Sequence, residues 1–473
     1  MSKQDMKVNG SVYLILICIT AGLGGFLFGF DTAVISGAIN FLRIQFHLSP
    51  AMEGWLMSSA LLGCVGGAAI AGLLSDKYGR KKILLLSALL FIISAFWCSI
   101  AQSPSVLVIA RLIGGIGVGF AAMVAPMFIS ELSPASLRGR LVSVYQLSIT
   151  LGILCSYLTN AWLLGIAAKG IAPGFMHFYM VDEVWRAMLG SNMAPATVFF
   201  LLLLMVPESP RWLIKNQDYS RANLILTRIN GIEKANIELT EIKETLREED
   251  GSIKQLFAPK WKIALMIGLL LPFLSQLTGI TTVMYNAPAI FDKAGFQGGA
   301  AMSSAALIGF FNMIFTIVAI WRIDVWGRKP LLIWGFVGLS IALFSIGLLF
   351  YQNGSSKFLL GAFIYYIAVF AATLGPGVWV VISEIYPTKI RGRAMSLATL
   401  SLFVGSTFVT QTYPILRDSL GIGITFILYA VMMLPAAWFV KRFVPETKGK
   451  TLEEIEQSWK AKSHIKVPIK KVA

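Results

Sequence analysis

The chain has 473 residues, 56% of them hydrophobic and only 14% charged, with a mean hydropathy of +0.73 and a formal net charge of +16. Soluble globular chains carry about a quarter charged residues, so the composition excludes an ordinary soluble enzyme and points to a polytopic membrane protein. The positive excess is not a nucleic-acid footprint, because its clusters all fall on one side of the topology that follows.

Apolar runs near span length occur at 11–39, 52–74, 83–101, 104–131, 140–164, 185–206, 261–291, 300–321, 330–351, 358–387, 394–416 and 420–440, where roughly twenty residues suffice to cross a bilayer. The expected fold is an all-α membrane protein of twelve transmembrane helices. The first run is too long for a signal-peptide core and lacks a small-residue cleavage site after it, so it is expected to be retained.

Span 1 holds "GGFLFGFDTAVISG", which places Asp31 inside an apolar run. After span 2 comes "DKYGRK" with Asp76 and Arg80. Span 4 carries Arg111 and the string "GGIGVG" at 114–119, whose apolar setting favours close helix packing over nucleotide binding. "ELSPASLRGR" follows with Glu131, Arg138 and Arg140, then span 5 with Gln146 and Asn160, and "PESPR" with Glu208 closes span 6.

The long polar stretch 207–260 divides the spans six and six, and Ile232, Ile237, Ile242 and Leu246 suggest short amphipathic helices there. Span 7 brings Gln276, Thr281, Thr282 and Asn286, and span 8 brings Asn312. "DVWGRK" contains Asp324 and Arg328, and span 10 holds Thr373, "GPG" at 375–377 and Trp379. "EIYPTKIRGR" carries Glu384, Arg391 and Arg393, span 11 carries Gln411, and "PETKG" with Glu446 follows span 12.

Three loop motifs thus recur in order, each after the same-numbered span of its half. A duplicated domain explains this better than a solenoid. Each half has an even number of spans, so the copies share one orientation, the parallel repeat of a two-bundle carrier with its site near the midplane. The expected units are 1–206 and 261–440 as six-helix bundles, 207–260 as a cytoplasmic helical linker and 441–473 as a cytoplasmic tail. Basic clusters on one side place both termini in the cytoplasm of a cell (inner or plasma) membrane.

The repeated charges at Asp76, Arg80, Glu131, Arg138, Arg140, Glu208, Asp324, Arg328, Glu384, Arg391, Arg393 and Glu446 are expected to form a cytoplasmic gate, with charge-assisted bonds between bundles in one state only. Asp31 and Arg111 lie about eight and seven residues from the outer ends of their spans, at matching depth, and can pair. If helix movement changes their separation, proton affinity follows the transport state; a permanent pair locking two helices is the alternative. The buried amides offer donors and an acceptor each, which suits an uncharged hydroxyl-rich ligand. Gly279, Pro288 and "GPG" mark where gating helices would bend.

No phosphate-cradling loop or zinc helix is visible, nor a nucleophile, base and orienter grouping, so neither an enzyme nor a metal site is expected. His47, His177 and His464 fall in loops or the tail. The cysteines Cys18, Cys64, Cys98 and Cys155 lie in spans without ligand spacing and are expected to pack between helices.

"GFLFGFDTAVISG", "DKYGRKK", "RLIGGIGVGF", "PESPRWL", "TGITTVMYNAPAIF", "DVWGRKP", "GPGVWVVISEIYPTKIRGR" and "PETKGKTLEEIE" resemble the sugar porter family of the major facilitator superfamily over nearly the whole chain. The resemblance implies alternating access by two bundles, with sugar contacts at Gln146, Gln276, Asn312 and Trp379. It also implies proton coupling through Asp31 and Arg111. The chain departs from the family pattern at Ser275, Thr281, Leu402 and Phe403, which reshapes the sugar's hydrogen bonds; Thr281 stands where the family often has Asn and is kept as a substrate contact. The expected partners are a monosaccharide (hexose or pentose), protons and the bilayer, with no cofactor and no nucleic acid. A sugar facilitator and a transporter-like nutrient sensor are the alternatives.

Overall fold

The computed structural model describes residues 3–134, 137–170, 174–248, 256–258, 261–296, 299–386 and 388–448. The sequence motifs at 449–473, and the side chains of Arg138, Asp324 and Arg391, lie outside the described residues. Among the described residues, twelve helical spans are long and apolar enough to cross a membrane: Val12–Gln45, Pro50–Tyr78, Arg80–Ile100, Pro104–Leu132, Arg140–Lys169, Val184–Met205, Lys262–Lys293, Gly299–Arg322, Arg328–Tyr351, Ser356–Ile385, Gly392–Leu420 and Ile422–Phe443. They are called spans 1 to 12. Their even number returns the chain to the face where span 1 begins, called here the basic face.

The buried side chains form two cores, one built mainly by spans 1–6 and one by spans 7–12. Within the first bundle span 1 packs on span 5, span 2 on span 4 and span 3 on span 6; in the second, span 7 packs on 11, 8 on 10 and 9 on 12. The packing therefore repeats as the loop motifs do. Between bundles, span 2 meets span 11, span 5 meets span 8 and span 1 meets the second half of span 7.

Small residues make the closest crossings possible. A Cβ on Gly29 would sit 1.9 Å from the Ile149 carbonyl oxygen, and one on Gly115 would sit 2.0 Å from that of Ala60. The glycine string serves packing as expected: Gly115 and Gly119 face span 2, while Gly114 and Gly117 face span 3.

Three spans are broken. Span 7 stops at Gln276 and restarts at Ile280 after Gly279, whose φ of 79° suits glycine. Span 10 breaks at Thr373, just ahead of "GPG", which occupies the first turn of the second half where a proline costs no helical bond. Pro288 lies inside the helix Ile280–Lys293 and does not interrupt it. Span 6 breaks between Gly190 and Met193, a break the sequence reading lacked.

The polar stretch contains helices Pro210–Lys215, Tyr219–Asn230 and Ile232–Glu248. They dock on the first bundle, with the Arg228 guanidinium 4.0 Å over the Tyr13 ring. The inward face of the last helix is Ala235, Leu239 and Ile242, while Ile232 and Ile237 are exposed. Five-residue steps drift around a 3.6-residue helix, so the stripe read from the sequence was only partly the buried one.

Candidate functional site

Asp31 and Arg111 are brought together inside the first bundle, with Arg111 Nη2 3.6 Å from Asp31 Oδ2 and side-chain exposures of 1% for Arg111 and 14% for Asp31. This exceeds the roughly 2.7–2.9 Å of a charge-assisted hydrogen bond. Arg111 Nε and Nη2 have no hydrogen-bond partner, so charge rather than a fork of bonds holds the pair. The span 1 helix continues to Gln45, fourteen residues past Asp31, whereas Arg111 is seven past Pro104. The depth match therefore comes from span 1 projecting about 10 Å beyond span 4, not from equal distances to the ends. Asn192, at the break of span 6, donates to Asp31 Oδ1 at 3.5 Å.

In the second bundle the break of span 7 frees Gln276 to face span 11. Its Oε1 accepts from Thr281 Oγ1 at 3.0 Å and from Ser406 Oγ at 2.9 Å, and its Nε2 donates to Ser275 Oγ at 3.3 Å. Ser275 and Thr281, two of the departures noted in the sequence, thus take up the amide of Gln276. Asn312 is buried, and Gln146 and Trp379 are half-buried. Among the described residues no hydrogen bond joins these three to Gln276. Phe403, another departure, stands edge-on to Phe28 of span 1 with ring centroids 5.9 Å apart. Thr282 Oγ1 and Asn286 Oδ1 are buried without partners, so the second half of span 7 carries unused polar capacity.

On the basic face the repeated charges form two matching clusters. Arg80 forks to Glu131, Nη2 to Oε1 at 3.0 Å, and reaches Asp76 at 3.1 Å. Glu208 accepts from the backbone N–H groups of Arg80 and Lys81 at 2.9 and 3.1 Å, and Ser209 donates to Glu131. In the second half Arg328 meets Glu384 at 3.0 Å, and Glu446 accepts from the N–H groups of Arg328 and Lys329 at 3.1 Å. Thr447 completes the match by donating to Glu384 at 2.5 Å. Each carboxylate after a sixth span therefore caps the N-terminus of the third, where the helix dipole favours it.

These bonds run within each bundle. The expectation of bonds between bundles is replaced, in this conformation, by two separate braces, because each Arg finds its Glu on a neighbouring helix of its own half. Arg140 and Arg393 are exposed. The two capping carboxylates differ in environment: burial pushes Glu208 above the usual carboxylate range against the pull of the Ser209, Lys81 and Arg80 N–H groups. For Glu446 burial is outweighed by the N–H groups of Lys448, Arg328, Lys329 and Thr447, and it sits below that range.

At the opposite face the bundles are sealed. Arg417 of span 11 forks to Glu53 of span 2 at 2.8 and 2.9 Å, and Ser58 donates to Gln411 at 2.7 Å. A Cβ on Gly54 would lie 2.4 Å from the Gln411 carbonyl oxygen. Tyr157 of span 5 donates to the Met284 carbonyl of span 7 at 2.6 Å.

Residues 17–459 match the family model described as "Sugar (and other) transporter". The chain belongs to this sugar transporter family. The transporter is 42% identical over 449 residues to the arabinose-proton symporter of Bacillus subtilis, covering 94% of this chain and 95% of that one. It is 37% identical over 491 residues to the D-xylose-proton symporter of Escherichia coli, covering 96% and 97%. Among solved structures it resembles the inward-open xylose transporter XylE of E. coli, with a TM-score of 0.81 at 36% identity over 94% of this chain and 100% of that one. It also resembles the proton:xylose symporter XylE bound to 6-bromo-6-deoxy-D-glucose, with a TM-score of 0.79 at 36% identity over 95% of this chain and 99% of that one.

Several residues of the transporter's site escaped the sequence reading. Asn192 lay in an apolar run, and its signal was the "GSN" triplet of weak helix formers there. Glu53 and Arg417 escaped it too; their signal was an acid in the first turn of one helix and a base in the last turn of another. Ser406 gave no signal, since a serine in a span commonly bonds back to its own helix.

Proposed function

We propose that this sugar transporter imports a monosaccharide together with a proton by alternating access, with the basic face cytoplasmic. The observation that carries the reading is the buried Asp31–Arg111 pair, held at 3.6 Å with unspent donors on Arg111. A locking pair would be expected to use those donors; a loose one is suited to forming and parting. The neutral amides and hydroxyls of the second bundle fit an uncharged sugar.

In the proposed cycle Asp31 takes a proton while the site faces outward, which releases Arg111 from its counter-charge. Sugar hydroxyls then replace Thr281 and Ser406 around Gln276, with Gln146 and Asn312 as further hydrogen-bonding contacts and Trp379 as a stacking face. The broken spans 7 and 10 bend at Gly279 and Thr373 as the bundles rock. On the cytoplasmic side the proton leaves, Asp31 rejoins Arg111, and the sugar departs. The Arg–Glu braces keep each bundle rigid, and their loops, with Arg138, Arg140, Arg391 and Arg393, meet when that face closes.

The substrate class proposed is a pentose or hexose, since the relatives are named for arabinose and xylose. Labelled-sugar uptake into proteoliposomes, with and without an inward proton gradient, tests the proposal. Accumulation above the outside concentration is expected only with the gradient. Equal uptake in both conditions would make the protein a facilitator, and binding without uptake would make it a sensor.

A further inference from the structure

Among the described residues, the ion pair between Glu53 and Arg417 is the most deeply buried one that crosses between the bundles, with side-chain exposures of 3% and 4%. Its partners stand 364 residues apart in sequence and belong to opposite halves of the repeat. Glu53 occupies the first turn of the helix Pro50–Tyr78, and Arg417 the last turn of the helix ending at Leu420. Each charge therefore complements its own helix dipole, and the two helix ends, of opposite polarity, are brought side by side. Asp418 holds Arg417 from the other side at 2.6 Å.

Arg417 also forms part of the wall of a cavity of about 220 Å³ that opens on the face opposite the basic one, beside Arg43, Asp292, Lys293 and Tyr413. Below it Ser58 bonds to Gln411, and the Gly54 backbone lies against Gln411. The pair thus stands between a water-accessible cavity and the packed contact of spans 2 and 11. Opening that face requires spans 2 and 11 to separate, and no arrangement of them apart keeps a two-bond fork at 2.8 and 2.9 Å.

We propose that Glu53 and Arg417 are positioning residues that form a latch, made only while the outer face is closed, and that the latch sets the share of molecules facing inward. The proposal rests on the alternating-access reading above. Glu53 lies far along the chain from the sugar-facing amides and touches neither them nor Asp31, so its effect is on the balance of states rather than on contact with the sugar. Glu53→Gln removes the counter-charge while Asp418 still satisfies Arg417, so the closed outer face loses an attraction without gaining an unpaired arginine.

The test is hydrogen–deuterium exchange of the full-length protein in nanodiscs, wild type against Glu53→Gln, Arg417→Gln and the double variant, each with and without xylose. In Glu53→Gln, exchange is expected to rise about tenfold or more in segments 50–58 and 411–420 and to fall in the basic-face segments around 76–82 and 388–393. A merely destabilised protein would loosen at both faces together, and that result would overturn the latch. The Glu53→Gln effect is expected to vanish in the Arg417→Gln background, because the pair is already broken there; additive effects would also overturn it. Initial uptake from outside should show a lower KM in Glu53→Gln, as the outward-facing form becomes more populated. If wild-type exchange responds to no sugar in a panel that is transported, alternating access itself fails; if wild type responds and Glu53→Gln matches it, only the latch fails.

Discussion

Asp31→Asn tests the proton site most directly. The substitution keeps the shape of the side chain and removes its charge, leaving Arg111, 1% exposed, without its counter-ion. At 3.6 Å the attraction lost is about 5 kcal/mol at an effective dielectric of 20. That agrees with the roughly 3–5 kcal/mol lost when one partner of a buried pair is removed. Thermal unfolding of the variant is therefore expected to fall by on the order of 10 °C. The double variant Asp31→Asn with Arg111→Gln should recover part of the loss, since the unpaired charge is gone. In proteoliposomes Asp31→Asn is expected to exchange labelled sugar across the membrane yet fail to accumulate it under an inward proton gradient. Accumulation equal to wild type would refute the proton role. A double variant no more stable than Asp31→Asn would refute the energetic argument for the pair.

Gln276→Ala removes the hub joining Thr281, Ser406 and Ser275, and at about 1–3 kcal/mol for a buried hydrogen-bonding group the sugar affinity should fall tenfold or more; calorimetric titration with xylose checks it, as it does for Trp379→Ala. Gly29→Ala places a Cβ 1.9 Å from a backbone oxygen of span 5 and should abolish the folded protein, whereas Gly66→Ala meets nothing within 4 Å and should express as wild type; size-exclusion profiles separate the two. Glu208 and Glu446 should respond to acid in opposite senses. The Glu208 carboxyl lies above its ordinary range, so its contribution to stability grows as pH falls through its folded value. That of Glu446, held below 4.5, is present above 4.5 and lost as pH falls through its folded value. Site-resolved carbon NMR of the labelled carboxyls should show Glu208 protonating at the higher pH, and the reverse order would sink the comparison.

The spans and their duplication were legible because membrane crossing and helix capping leave strict marks. A span needs an unbroken apolar run, and an Arg–Glu fork with a capping carboxylate needs the same residues at the same spacing in each half. Arg80 with Glu131 and Arg328 with Glu384 meet that need alike. The partners of those charges were less legible. Motif spacing shows that Arg80 needs an acid, not whether the acid lies on its own bundle or the other, and only the packing of spans 3 and 4 settles that. The Asp31–Arg111 pair was found from depth, although its geometry depends on the overhang of span 1, which the apolar run understated. Asn192 and Ser406 were hidden because a small polar residue in an apolar run reads the same whether it serves its own helix or a neighbour.

The repeat also explains why the seal opposite the basic face has the chemistry it has. The contacts of span 2 with span 11 and of span 5 with span 8 are counterparts under the duplication, yet they are built differently. The second is close packing, in which a Cβ on Gly309 would lie 3.1 Å from the Tyr157 ring. The first carries the Glu53–Arg417 fork. Apolar packing that opens to water loses its burial energy outright. An ion pair that parts regains hydration for both charges, which offsets much of what it loses. A seal that must break once per transport cycle is better made of charge than of apolar surface, because the closed and open forms then differ by little and both stay populated.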